Sequence, residues 1–180
     1  MLFRSTGRPI VKEFQDEFFE RHALVLDTAS RRGEDEAFED AVAVAASFVH
    51  TIETQECLLD LLFVGSEVHH STAGRGQLHA EQMLEALAGV RASEPAGFER
   101  LERAVLTQCT QLSSCLLVLV AWDEARRGLA ERLAASGVEV RAILVCARDD
   151  APRAAPAWLL AVHPGEIESG LARLERMVLR

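Results

Sequence analysis

The feature that most constrains this chain is a short apolar run, residues 23–26, with no polar residue inside it. The run stops abruptly at Asp27-Thr28 and turns basic at Arg31 and Arg32. A run of that length, bounded by turn residues and followed by a helical pattern, suits a strand buried on both faces, here residues 22–27. In open α/β sheets, ligands bind where such strands end at their carboxyl edge. Asp27 sits at that end.

The rest of the chain alternates in the same way. Residues 8–19 partly alternate, with Ile10, Phe14 and Phe18 apolar and Lys12 polar, which predicts an extended lead-in with edge-strand character. The acidic triplet Glu34-Asp35-Glu36 suits the positive end of a helix. Phe38, Val42, Ala45, Val49 and Ile52 then recur at helical spacing up to about Thr54. Residues 57–64 form a second apolar strand and residues 67–71 a short edge strand. Ala80, Met83, Leu84 and Leu87 mark a second helix, closed near Gly89, and Phe98, Leu101, Val105, Cys109 and Leu112 a third.

Residues 114–121 are nearly all apolar and predict a central, doubly covered strand. Ala125, Leu129, Leu133 and Ser136 describe a helix stopped by Gly137, and residues 138–146 another strand. Residues 147–156, with two prolines and two aspartates, read as a loop. Residues 157–162 are a last strand, and Ile167, Leu171, Leu174 and Val178 line a C-terminal helix. Strands alternating with helices imply an α/β domain: a mostly parallel sheet with helices on both faces. At 180 residues the chain is one domain.

A net charge of −9 argues against a nucleic-acid partner, which needs clustered Lys and Arg; Lys12 is the single lysine. No apolar run approaches the roughly 20 residues that cross a bilayer, so no membrane contact is expected of this segment. Cys57, Cys109, Cys115 and Cys146 lie within or beside apolar runs with no close pairing, the pattern of reduced, buried cysteines in a cytoplasmic protein.

Several α/β chemistries lack their residues. Lys12 lies outside any glycine-rich turn, which removes a phosphate-binding loop. No Gly-x-Gly-x-x-Gly follows the first strand and no Gly-x-Ser-x-Gly elbow occurs. His69 and His70 are adjacent on a strand, so their side chains point to opposite faces and cannot easily share one metal; a solvent-facing edge is the simpler reading. The constellation that remains is Asp27 with Asp123. Each follows a buried strand, so in a parallel sheet both emerge at one edge. With hydroxyls from Thr28 or Ser30 they suit a hard cation such as Mg²⁺. The alternative is that Asp27 caps a turn and Asp123 caps the helix starting at Glu124, both solvated.

Residues 6–14, Thr-Gly-Arg-Pro-Ile-Val-Lys-Glu-Phe, followed by Leu24-Val25-Leu26-Asp27-Thr28, resemble the domain of unknown function 58 family. Its members carry a similar Gly-x-Leu-x-Val-Lys/Arg-Glu segment before a strand ending in Leu-Asp-Thr. The resemblance covers nearly the whole chain, and the lead-in is its more specific half. It implies a three-layer, Rossmann-like fold of the von Willebrand A type, with a metal-ion-dependent adhesion site at the top of the sheet. That site reads Asp-x-Ser-x-Ser after the first strand, with a threonine from a later loop and an aspartate after the fourth strand. Asp27 matches the first aspartate and Asp123 the last. Ala29 and Arg31 stand at the two serine positions, and residues 91–98 hold no threonine. Arg31 brings a guanidinium to the cation's place, where it is able to pair with Asp27 or Asp123.

The resemblance also implies an upstream region with hydrophobic segments, and a partner of the MoxR-type AAA ATPase class in complex assembly. The expected function is therefore a non-enzymatic protein-interaction domain with a degenerate site and no cofactor. Its partner face comprises Asp27, Arg31, Arg32, Trp122, Asp123 and Glu124. Trp122 serves there as an anchor, or else as a core residue under the following helix. The alternatives are a Mg²⁺-dependent binding module built on Asp27, Thr28, Ser30 and Asp123, and a hydrolase with Asp27 as base, for which no second catalytic group is evident.

Overall fold

The computed structural model describes residues 20–29, 35–51, 57–74 and 77–178. In chain order the elements are β1 (Glu20–Leu26), α1 (Asp35–Thr51), β2 (Cys57–Val64), β3 (Val68–Ala73), α2 (Gln77–Ala88) and α3 (Gly97–Gln108). They continue with β4 (Ser114–Leu119), α4 (Glu124–Ala135), β5 (Glu139–Val145), β6 (Leu159–Val162) and α5 (Ile167–Val178). The expected lead-in strand and the last turn of the first helix, to Thr54, lie outside the described residues. The third helix is shorter than its apolar spacing predicts: a 3₁₀ turn, Cys109–Gln111, ends it.

The strands form one sheet in the order β3-β2-β1-β4-β5-β6. All neighbours pair parallel except β2 and β3. The connection from Val64 to Val68 is too short for a crossover, so β3 must return antiparallel at the edge. This is the predicted α/β architecture.

Strand parity divides the core in two. Ala23 and Val25 of β1 face the layer made by α3 and α4, with Leu62, Leu117 and Leu144. Leu24 and Leu26 face α1, α2 and α5, with Leu61, Phe63 and Val118. The last four residues of β1, Ala23 to Leu26, are thus committed to packing, at roughly 1.5–3 kcal/mol for each fully buried large apolar side chain. Among the described residues, no helix is long and apolar enough to cross a membrane.

One polar cluster interrupts this packing. Asp60, in the middle of β2, is completely buried on the α3 face. Arg21 Nε donates to its Oδ2 at 2.5 Å and Nη2 to its Oδ1 at 3.1 Å. Thr72 and His70 of β3 also bond its Oδ1, His70 at 3.3 Å. Burial raises the Asp60 carboxyl, but Arg21, Thr72 and His70 outweigh it and hold its pKa below the ordinary value. The cluster therefore fastens the edge strand to the centre of the sheet. The two histidines do point to opposite faces. Neither is simply solvated, however, because His69 stacks on Phe63 with ring centroids 4.5 Å apart while His70 reaches Asp60. A carboxylate buried one strand away supplies the reason.

Candidate functional site

The site lies where β1 and β4 run side by side and the chain leaves them in opposite directions, β1 for α1 on one face and β4 for α4 on the other. Divergence of that kind opens a crevice at the carboxyl edge of an open sheet. Asp27 and Asp123 both reach this edge, as their sequence positions predict.

Their environments differ sharply. Asp123 is the N-cap of α4, and its side chain accepts from the backbone N–H of Arg126. Half of that side chain is exposed, at 51%. Asp27 is fully buried at 0% exposure, so the expectation that both carboxylates are solvated fails for Asp27. Its backbone N–H donates to Val118 O at 2.8 Å, which extends the β1–β4 pairing one residue past the strand. Its Oδ1 accepts from Ala29 N at 3.0 Å, an Asx-type turn that closes the strand end.

The group that compensates Asp27 is Arg126, in the first turn of α4. Arg126 Nε donates to Asp27 Oδ2 at 2.6 Å, Nη1 to Asp123 Oδ2 at 2.5 Å and Nη2 to Ala29 O at 3.2 Å. The Phe98 ring covers the guanidinium, 4.5 Å from its carbon to the ring centroid. Burial pushes the Asp27 carboxyl above its usual value, while Arg126 and the N–H groups of Ala29 and Val120 pull the other way. Burial also opposes the charge on Arg126, but the two carboxylates outweigh it and hold the guanidinium protonated. One cation thus lies between the two aspartates that the sequence singles out.

Thr28 faces elsewhere. Its hydroxyl donates to Val64 O and lies 3.0 Å from Ser93 Oγ. Ser93 N donates to Thr28 O at 2.7 Å, so the loop between α2 and α3 is laced to the end of β1. Gly97 makes the close approach possible: a Cβ there would sit 2.4 Å from Ser93 Oγ. Glu124 is exposed and pairs with Arg127 at 2.8 Å. Trp122 is half-buried and meets Trp158 edge-to-face, with centroids 5.7 Å apart. It therefore serves partly as core and partly as surface. Ser30, Arg31 and Arg32 lie outside the described residues. The structure brings together Asp27 and Asp123 and adds Arg126 and Phe98, while Trp122 and Glu124 flank Asp123 in the chain and turn to Trp158 and Arg127.

Arg126 escapes a reading based on strand ends, yet a local signal points to it. A cation in the first turn of a helix opposes the macrodipole, and an arginine three residues after an N-cap aspartate needs a carboxylate to justify that place. Beside the bridged aspartates a cleft of about 330 Å³ opens between α1, the end of β4 and the end of β5. Cys146 lies in it, its thiol pushed up to about 11 by burial and by Asp150. Among the described residues, no group of three or more His, Cys, Asp or Glu side chains is arranged to hold a metal ion.

No protein-family model matches this chain, and no curated protein matches it in sequence. Its fold does have solved counterparts. The manganese-loaded TRAP protein of Plasmodium vivax superposes with a TM-score of 0.53 at 10% identity, over 90% of this chain and 74% of that one. The VWA domain of SpRpn10 superposes with a TM-score of 0.51 at 14% identity, over 86% of this chain and 95% of that one. Proximal thread matrix protein 1 from the mussel byssus, with a zinc-occupied MIDAS motif, gives a TM-score of 0.60 at 12% identity. That match covers 89% of this chain, which spans about half the length of the mussel protein, at 47%. At such identities the likeness is one of fold, and the fold is that of a von Willebrand A domain.

Proposed function

We propose that this chain is a non-enzymatic protein-interaction domain whose metal-ion-dependent adhesion site is degenerate, and that it binds its partner through the carboxyl-edge face without a divalent ion. The observation that carries this reading is the Arg126 guanidinium between Asp27 and Asp123. Mg²⁺ demands near-octahedral oxygen ligands at about 2.0–2.1 Å and keeps several waters. Here the oxygens it would use are bonded to a fixed cation, and Ala29 stands where a hydroxyl ligand is expected. The residues do not fit the metal. The same bonds speak against catalysis, because a buried, ion-paired Asp27 offers no base within reach of a substrate proton.

The partner class suggested by the lead-in resemblance is a MoxR-type AAA ATPase, with Trp122, Asp123 and Glu124 in the contact together with Arg31 and Arg32. The rival reading, a Mg²⁺-dependent module using Asp27, Thr28, Ser30 and Asp123, draws on Asp27 and Asp123 sharing one edge of a fold whose solved counterparts include metal-loaded ones. It requires Arg126 to swing away.

The test is the affinity of the chain for a purified MoxR-type ATPase from the same source, by biolayer interferometry with chelator and with Mg²⁺. The expected result is chelator-insensitive binding that falls at least about tenfold in Trp122→Ala and in Glu124→Arg, near 1.4 kcal/mol, with circular dichroism unchanged. Binding that needs Mg²⁺ moves the reading to its rival. Binding unaffected by either variant places the interface elsewhere, and no binding removes this partner class.

A further inference from the structure

The cleft beside the bridged aspartates combines apolar side chains with three carboxylates. Val120 and Cys146 form its floor, Trp122 one wall and Pro164 another, while Glu36, Asp123 and Asp150 stand at the mouth. No described basic residue lines it. Of the described arginines nearby, Arg126 pairs with Asp27 and Asp123, Arg127 with Glu124, and Arg148 with Glu166.

Charge balance decides what such a cleft accepts. Two aspartates around a divalent ion are neutral, and an open coordination position then attracts an acidic ligand. Here two carboxylates share one guanidinium, which leaves one negative charge, and a guanidinium has no coordination position to offer. The group turned outward is Asp123, half-exposed, with Glu36 and Asp150 exposed beside it. The polarity of the face is therefore inverted relative to a metal-loaded site.

We propose that this cleft takes an arginine or lysine side chain of the protein partner, its aliphatic stem against Trp122 and the apolar floor and its cation among Glu36, Asp123 and Asp150. The proposal rests on the carboxyl-edge face being the interaction surface, and it names the chemistry of the partner. Long basic side chains suit a site built this way, because they bury their methylenes while the charged head stays at the rim. An aromatic wall adds cation–π attraction for a cation over its face.

The test uses the ¹⁵N-labelled full chain, whose two tryptophans, Trp122 and Trp158, yield two indole N–H signals that Trp158→Phe assigns. The probes are the capped tripeptides Ac-Gly-Arg-Gly-NH₂, Ac-Gly-Lys-Gly-NH₂ and Ac-Gly-Glu-Gly-NH₂. The Arg and Lys peptides should move the Trp122 signal saturably and the Glu peptide should not. Glu36→Gln with Asp150→Asn should weaken the response by roughly three- to tenfold, the worth of two partly exposed ion pairs. An equal response to the Glu peptide, or none to any peptide, overturns the proposal. So does a response that appears only after Arg31→Ala and Arg32→Ala, which would make the chain's own loop the occupant. If a bound partner shifts Trp122 while the tripeptides do not, the basic-ligand chemistry fails and the interaction face stands. If neither shifts it, both fail.

Discussion

Arg126 and Asp27 are 99 positions apart in the chain and 2.6 Å apart in space, the only full charge on Asp27's outer oxygen among the described contacts. That pair, with Asp123 as its third member, is the centre on which the carboxyl edge of the sheet is assembled. It joins the end of β1 to the start of α4 and, through Phe98, to the start of α3.

Removing the guanidinium alone should be costly. Arg126→Met leaves a fully buried carboxylate without its cation, a change that typically destabilises by about 3–5 kcal/mol. The double variant Asp27→Asn with Arg126→Met removes both charges and should recover much of that loss, since a buried pair is often replaceable where one half of it is not. Urea denaturation of the two single variants and the double gives the coupling directly. Additive losses would show that the two side chains do not act as a unit.

The proposed metal independence predicts a flat thermal-shift titration. Mg²⁺, Mn²⁺ and Ca²⁺ should leave the melting temperature of the wild-type chain at its chelator value. A site filled at a hundred times its dissociation constant would instead add about 2.7 kcal/mol, a shift of roughly several degrees for a domain of this size. A metal-specific shift that disappears in Asp27→Ala would restore the Mg²⁺-dependent reading.

The acid limb of stability should belong to Asp60. Its carboxyl pKa is lowered in the folded state, so its contribution is fully present above the unfolded value of about 3.9 and is lost as pH falls through the lower folded value. Asp27, raised by burial, has the opposite sign and gains stability as it protonates. Melting temperatures measured below about pH 4 should therefore fall more steeply in wild type than in Asp60→Asn. Parallel slopes would reject the assignment.

The loop that seats Ser93 against β1 leaves no room at Gly97. Gly97→Ala places a Cβ 2.4 Å from Ser93 Oγ and should cost about 1–3 kcal/mol, as overpacking does. Gly65→Ala, with nothing within 4 Å of the added atom, is the matched control and should change stability by less than about 0.5 kcal/mol. Equal midpoints for the two variants would mean that the loop yields freely.

The two buried thiols should be silent. Burial pushes Cys115 up to about 12 and, with Asp150, Cys146 up to about 11, so neither forms much thiolate at neutral pH. A disulfide-exchange reagent at pH 8 should modify only the half-buried Cys57 and Cys109 in the native chain, and all four after denaturation. Rapid native modification at Cys115 would indicate local opening of β4.

By itself the sequence determined the architecture and the address of the site. Apolar runs such as residues 23–26 and 114–121, bounded by turn residues, suit strands in the interior of a parallel sheet, and their helical intervals supply the two covering layers. The breaks at Asp27 and Asp123 mark the carboxyl ends because turn and helix-start residues follow each of them, whereas Asp60 lies inside an apolar run that continues beyond it. What only the tertiary structure decided is which groups those aspartates meet. Arg126 reads locally as one arginine of an amphipathic helix, and Arg21 as a polar start to a strand. Each becomes a partner for a buried carboxylate only when α4 packs over β4 and β1 pairs with β2. Periodicity reports which face of an element is buried, but the electrostatic partner of a buried charge is fixed by long-range packing.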